Sequence, residues 1–342
     1  TNGRRPQAAH SKMRPPAPCL RLPMLSVVSV AFPFFALVLC GYVATRSGAL
    51  ALAAISGLNG FVLYFALPCM LYRLGTQTPL AQLLDPVAAL LYLLCALVLV
   101  GTTVALTRRG AIGWSDAAFG ALVVTFPNSG FMGIPLLAAL LGERSSAPVL
   151  LTLALDMVVV TSLCIALSRL DGASGQGALA ALRKALRGIA VNPMPWAIAL
   201  GALASWQQWQ LPQAIEQTVA MLAAAASPVA LFTMGAVLAR SHMHLHDSVA
   251  PRLYVPLALA KLVAQPLLLW LLGQAARALG APLPDHTLAA LVLVAALPSA
   301  SNVVLLVERY GAHSGRVARV ILVSTVLSFL SFPIAVAWML PK

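Results

Sequence analysis

Phe126-Pro127-Asn128-Ser129-Gly130-Phe131-Met132-Gly133-Ile134-Pro135 is the stretch whose reading decides the fold. It lies inside an apolar segment running from about Ala117 to Leu141, yet it holds two prolines, two glycines and an Asn-Ser pair. Pro127 removes a backbone donor and clashes with the preceding turn, while Gly130 and Gly133 permit backbone angles that other residues resist. The pattern predicts a helix broken inside the membrane. Such a break leaves amides and carbonyls without partners in a medium that has no water. It is tolerated only where protein, a wet cavity or a ligand satisfies them. Broken transmembrane helices therefore point to binding sites.

The chain around this stretch reads as an all-α polytopic membrane protein. Of its 342 residues 60% are hydrophobic and 9% charged, and mean hydropathy is +0.90, which excludes an ordinary soluble domain. Apolar runs long enough to span the hydrocarbon recur at about ten places. They cover about Leu25–Thr45, Ala51–Leu74, Pro86–Thr107, Asp116–Leu141, Ala147–Leu170, Asn192–Trp206, Pro212–Ala239, Arg252–Leu279, Thr287–Tyr310 and Val317–Leu340. Residues 1–24 form a basic, proline-rich tail without apolar periodicity, and disorder is expected there. Residues 171–190 form a linker, first Gly/Ser-rich and then basic, between a first half at 25–170 and a second at 191–342.

The formal net charge of +13 comes from basic residues scattered through short loops, with no patch of interleaved aromatics. Nucleic acid is therefore not an expected partner. Five cysteines without CxxC spacing argue against disulfides and zinc. No nucleotide-binding glycine loop or hydrolytic constellation occurs, so neither a cofactor nor an enzyme is expected. Energy must come from a gradient or from the substrate.

Five spans on either side of the linker suggest a repeat. Pro68-Cys69-Met70-Leu71-Tyr72-Arg73-Leu74-Gly75 in the second span aligns with Pro228-Val229-Ala230-Leu231-Phe232-Thr233-Met234-Gly235 in the seventh. The broken fourth span has its counterpart in the ninth, where Ala290-Leu291-Val292 leads into Leu297-Pro298-Ser299-Ala300-Ser301-Asn302. Interrupted segments at corresponding positions of two halves point to a secondary transporter's binding site. An odd number of spans per half implies that the repeats are inverted. Arg46, Arg108, Arg109, Arg169, Arg183, Lys184, Arg187, Arg240, Arg252, Arg309, Arg316 and Arg319 fall on one side of such a layout. Arg73, Arg144, Arg277 and Lys342 fall on the other, which stays the poorer side even with the tail's five basic residues added. The positive-inside rule makes the first side, and the linker, cytoplasmic, with both termini outside.

Pro127 through Pro135 resembles the fourth-helix signature of the auxin efflux carrier family, whose bacterial members include permeases of malonate-like organic acids. Further resemblances follow in the family's order: Pro33-Phe34 through Gly41-Tyr42, Phe65-Ala66-Leu67-Pro68, Asn192-Pro193, Ser227-Pro228 through Gly235, and Leu297-Pro298 through Tyr310-Gly311. The resemblance covers about residues 27–340. It implies a fold similar to sodium/proton antiporters, with the broken fourth and ninth helices crossing at mid-membrane. It also implies an elevator-like movement of spans 3–5 and 8–10 against a scaffold of spans 1, 2, 6 and 7, in a homodimer. The expected setting is the inner membrane of a bacterium.

Two half-helices meeting tip to tip present positive ends and unpaired amides to one small volume, which favours an anion. Pro127, Asn128, Ser129, Gly130, Pro298, Ser299, Ser301 and Asn302 are the candidate binding residues there. The asparagines can donate to a carboxylate; alternatively they cap the broken backbone. The serines can contact substrate or bond only their own preceding turn. Lys261 in the eighth span and Asp156 in the fifth are charges at membrane depth, which are costly and face a cavity or each other. Lys261 can attract a carboxylate substrate, or pair with Asp156 for proton or sodium coupling, or form a merely structural pair or snorkel. His242, His244 and His246 alternate beside Asp247, a pattern that suits either a metal or a solvated loop.

Overall fold

A computed structural model describes residues 24–108, 112–170, 193–244 and 249–340. The expected tail up to residue 23, all of the linker, and His246 lie outside these residues. Among the described residues there is no β-strand. The chain forms α1 (Met24–Arg46), α2 (Leu52–Gln77), α3 (Pro86–Thr107), α4 (Trp114–Thr125), α5 (Ser129–Leu141) and α6 (Ser146–Ser168). After the linker come α7 (Pro193–Gln207), α8 (Gln213–His244), α9 (Val255–Ala278), α10 (Asp285–Ala295), α11 (Val303–Tyr310) and α12 (Ser314–Met339). Six of the described helices, namely α2, α3, α6, α8, α9 and α12, are long and apolar enough to cross a membrane. Leu90, Leu94 and Leu97 of α3 remain exposed, the surface expected of a helix that meets lipid.

Prolines set the local geometry. Pro68, Pro135 and Pro266 each follow a five-residue π turn, at Val62–Ala66, Ser129–Gly133 and Ala260–Ala264. Each proline lacks an N–H and presses on the carbonyl four residues back, so the preceding turn widens instead of breaking. A fourth π turn, Asp156–Val160 in α6, has no proline after it. There the Asp156 carbonyl oxygen, which accepts the Thr161 N–H of the widened turn, also accepts from the Thr161 hydroxyl at 2.7 Å.

Glycines let two pairs of helices approach at backbone distance. A Cβ added to Gly235 of α8 would sit 1.8 Å from the Val38 carbonyl oxygen of α1, and one added to Gly41 of α1 would sit 1.9 Å from that of Phe232. Gly75 of α2 and Gly201 of α7 meet in the same way, with 2.4 Å between an added Gly201 Cβ and the Tyr72 carbonyl oxygen. Such approach gains dispersion contacts that side chains would block. Gly235→Ala and Gly41→Ala should each destabilise the fold by about 1–3 kcal/mol or more. Gly57→Ala, whose added Cβ meets nothing within 4 Å, should be neutral or stabilise by up to about 1 kcal/mol. Thermal unfolding of the detergent-solubilised protein distinguishes the two cases.

Candidate functional site

The two interruptions meet. Phe126 precedes a proline and is driven to extended angles, φ −91° and ψ 101°, and this ends α4. Pro127 and Ser299 then face each other in an antiparallel bridge. Asn128 N–H donates to the Pro298 oxygen at 2.8 Å, and Ala300 N–H donates to the Phe126 oxygen at 3.0 Å. Pro127 occupies a position of this bridge that needs no amide donor, so its missing N–H costs nothing. Asn128 is the centre of an inverse γ-turn, φ −76° and ψ 55°, closed by Ser129 N–H on the Pro127 oxygen at 2.8 Å. Part of the amide set expected to be free for an anion is thus consumed by the crossing itself.

Four helix ends surround the bridge: the C-termini of α4 and α10 and the N-termini of α5 and α11. Each C-terminus carries about half a negative charge and each N-terminus about half a positive one. The negative ends are capped from α9. Lys261 Nζ donates to the Ala295 carbonyl oxygen, the last of α10, at 3.0 Å, and to Gln265 Oε1. Gln265 Nε2 in turn donates to the Thr125 oxygen, the last of α4, at 2.8 Å. Both side chains are buried. The positive ends have no comparable partner: among the described residues the amides of Gly130, Phe131, Ser301 and Asn302 bond no backbone carbonyl outside a helix.

Beside the positive ends lies a cavity of about 10 Å³, walled by Pro127, Asn128, Gly130, Phe131, Ala300 and Asn302 from the crossing. Leu67 of α2, Leu153 and Met157 of α6, and Met194 of α7 close it with apolar surface. The space suits about one water molecule. Both asparagines have unused bonding capacity. Asn128 Nδ2 reaches only the Met234 sulfur of α8, at 3.0 Å, and a thioether is a weak acceptor. Asn302 Oδ1 is buried without a partner.

The family model described as membrane transport protein matches residues 26–336. The chain belongs to that family. It is 28% identical over 316 residues to the Rhizobium meliloti (strain 1021) protein named "Putative malonate transporter", spanning 89% of this chain and 93% of that one. It is 26% identical over 304 residues to "Uncharacterized transporter YfdV" of Escherichia coli (strain K12), spanning 87% of this chain and 92% of that one. It is 34% identical over 120 residues to "Auxin efflux carrier component 3" of Arabidopsis thaliana, spanning 34% of this chain and 18% of that one. The resemblance to the auxin efflux carrier family therefore holds.

In this membrane transport protein the crossing gathers some of the expected residues and not others. Pro127, Asn128, Gly130 and Asn302 line the cavity, whereas Pro298, Ser129, Ser299, Ser301 and Lys261 do not. Ser299 is buried behind the bridge, where its amide donates to Ser324 Oγ of α12 at 3.2 Å. Lys261, expected to attract a substrate carboxylate or to pair with Asp156, donates to the Ala295 carbonyl oxygen at 3.0 Å and to Gln265 Oε1. Asp156 is fully buried; its Oδ2 accepts from the Tyr92 hydroxyl at 2.7 Å, and its Oδ1 has no partner. No ion pair joins Asp156 to Lys261 among the described residues, although each interacts with the other's charge. His242 lies close to the Tyr42 hydroxyl, 2.7 Å from Nδ1, and among the described residues no cluster of three acidic, histidine or cysteine side chains suits a metal.

Sequence reasoning missed Gln265, Tyr92 and the apolar walls. A polar residue directly before a mid-helix proline, as in Gln265-Pro266, was the available signal for the first. Tyr92→Phe should leave the buried Asp156 carboxyl without its one hydrogen-bond donor and lower stability by about 1–3 kcal/mol, measured by denaturant unfolding in detergent.

Proposed function

We propose that this protein is a secondary transporter that carries a small organic anion of the malonate kind across a bacterial cytoplasmic membrane. The observation that carries the reading is the pair of positive helix ends and underused asparagines beside one small cavity. Malonate is taken as the first candidate because the Rhizobium meliloti relative's name contains it.

The same reading includes ten passes arranged as inverted five-helix repeats. Two mirrored features support it. Gly75 of the second span packs on the sixth, and Gly235 of the seventh packs on the first, which is the exchange a two-fold axis between halves would produce. The bridge at Pro127 and Ser299 likewise takes one hydrogen bond from each half. The cavity lies between α2 and α7 on one side and the crossing with α6 on the other, and Met234 of α8 touches Asn128 of the crossing. A space of about 10 Å³ cannot admit a dicarboxylate. Loading therefore requires the site to open, and on this reading α3–α6 and α9–α12 move against α1, α2, α7 and α8, as in an elevator. The arginine-rich face is cytoplasmic in this scheme, and the functional unit is a homodimer.

A second reading, exchange of protons or sodium at Asp156, draws on the unpartnered buried Oδ1. Asp156→Asn separates the two: under the second reading it abolishes cation exchange measured without any organic substrate.

Uptake of labelled malonate into vesicles containing the purified protein tests the main reading. Asn128→Ala and Asn302→Ala should each reduce uptake about 10- to 100-fold, the loss expected for one hydrogen bond to a charged group. Equal uptake by the variants and the parent protein, or none by any of them with small carboxylates of several kinds, would sink it.

A further inference from the structure

Lys261 is fully buried and is not among the residues that line the cavity. Its ammonium touches neutral oxygens: Gln265 Oε1 and the terminal carbonyl of α10 at 3.0 Å. Gln265 carries the cap onward to the terminal carbonyl of α4 at 2.8 Å. Its own backbone oxygen lies 3.7 Å from Cys95 Sγ of α3. The nearest opposite charge, Asp156, is engaged by Tyr92 and makes no ion pair with the lysine. An amide oxygen, a main-chain carbonyl and two converging negative helix ends are the donor set of a monovalent cation site. Two ends of about half a charge each are balanced by one ammonium.

We propose that the C-terminal ends of α4 and α10, together with Gln265, form a monovalent-cation site that the chain fills with its own Lys261 ammonium, and that a free small cation can take that place when the side chain is cut back. Lys261 is thus a positioning residue. It cancels the negative ends of the crossing and leaves the positive ends to act on the anion. The consequence for transport, that no dissolved cation is needed to assemble the site, rests on the transport reading. The cation site itself does not.

The test compares full-length parent protein, Lys261→Ala and Lys261→Met in detergent, by thermal unfolding in methylammonium, sodium or choline chloride at equal ionic strength. Alanine leaves room for a small cation, whereas methionine fills the space without charge. Both variants should unfold at lower temperature than the parent in choline. Methylammonium should raise the alanine variant by about 2–4 °C over choline and leave the methionine variant and the parent unmoved. If Lys261→Ala is not recovered folded in choline, its recovery as a monodisperse species when extracted in methylammonium is the supporting result. The proposal is overturned if Lys261→Met unfolds at the parent's temperature. It is equally overturned if neither small cation shifts or recovers the alanine variant beyond choline. A methylammonium shift in a protein whose parent moves no carboxylate would uphold the site and remove the transport reading.

Discussion

Two backbone hydrogen bonds, Asn128 N–H to the Pro298 oxygen and Ala300 N–H to the Phe126 oxygen, are the constraint on which the rest of the structure depends. Each interruption exposes main-chain groups in an interior where an unpaired one costs several kcal/mol. Neither half of the chain can satisfy its own break, because the matching donor and acceptor lie in the other half. Assembly of the two halves is therefore a condition of stability for both. Prolines 127 and 298 end the helices, and the bridge then spends the groups those endings release.

Breaking two helices at one point also creates four partial charges close together, and the chain treats the two signs differently. Negative ends are covered by a lysine and a glutamine from one helix turn of α9. Positive ends are left beside neutral asparagines and apolar walls. An arginine in the cavity would bind a carboxylate more tightly, but a carrier must also release its load. Helix ends and amides attract an anion with less grip than a bidentate guanidinium. On the proposed reading, a site built from them suits cargo that has to leave on the other side.

The helices were legible because their signals are local. Pro86 after Asp85 marks the start of α3, where the aspartate Oδ1 accepts from Val87 N–H and Ala88 N–H, and the expected range 86–107 is the helix observed. Pro127 and Pro298 announced the breaks for the same reason. What each buried charge would touch was not legible. Lys261 and Asp156 sit at similar depth in their spans, and sequence alone makes a pair the cheapest expectation. Their partners are decided by which helix ends and hydroxyls the packing brings near, and Tyr92, Thr125 and Ala295 carry no local mark of that role. The apolar walls at Leu67 and Met157 were hidden likewise, since among so many leucines and methionines nothing distinguishes a cavity face from a core face.

The contacts on either side of the cavity differ in kind, and the difference bears on how a closed site is loaded. α1 with α8, and α2 with α7, meet at glycines so closely that an added Cβ would collide with the partner's backbone; displacing either pair would break a fitted surface. Asn128, by contrast, touches α8 through the Met234 thioether, a soft and weakly accepting group on a flexible side chain. Fitted backbone seams suit elements that keep their places, and a thioether resting on an amide suits a boundary that slides. The sulfur also occupies the asparagine's donor, as a weak acceptor that, under the transport proposal, a carboxylate oxygen outcompetes. On the proposed reading, one contact then serves both requirements: it prevents a buried amide from going wholly unsatisfied without cargo, and it yields when cargo arrives.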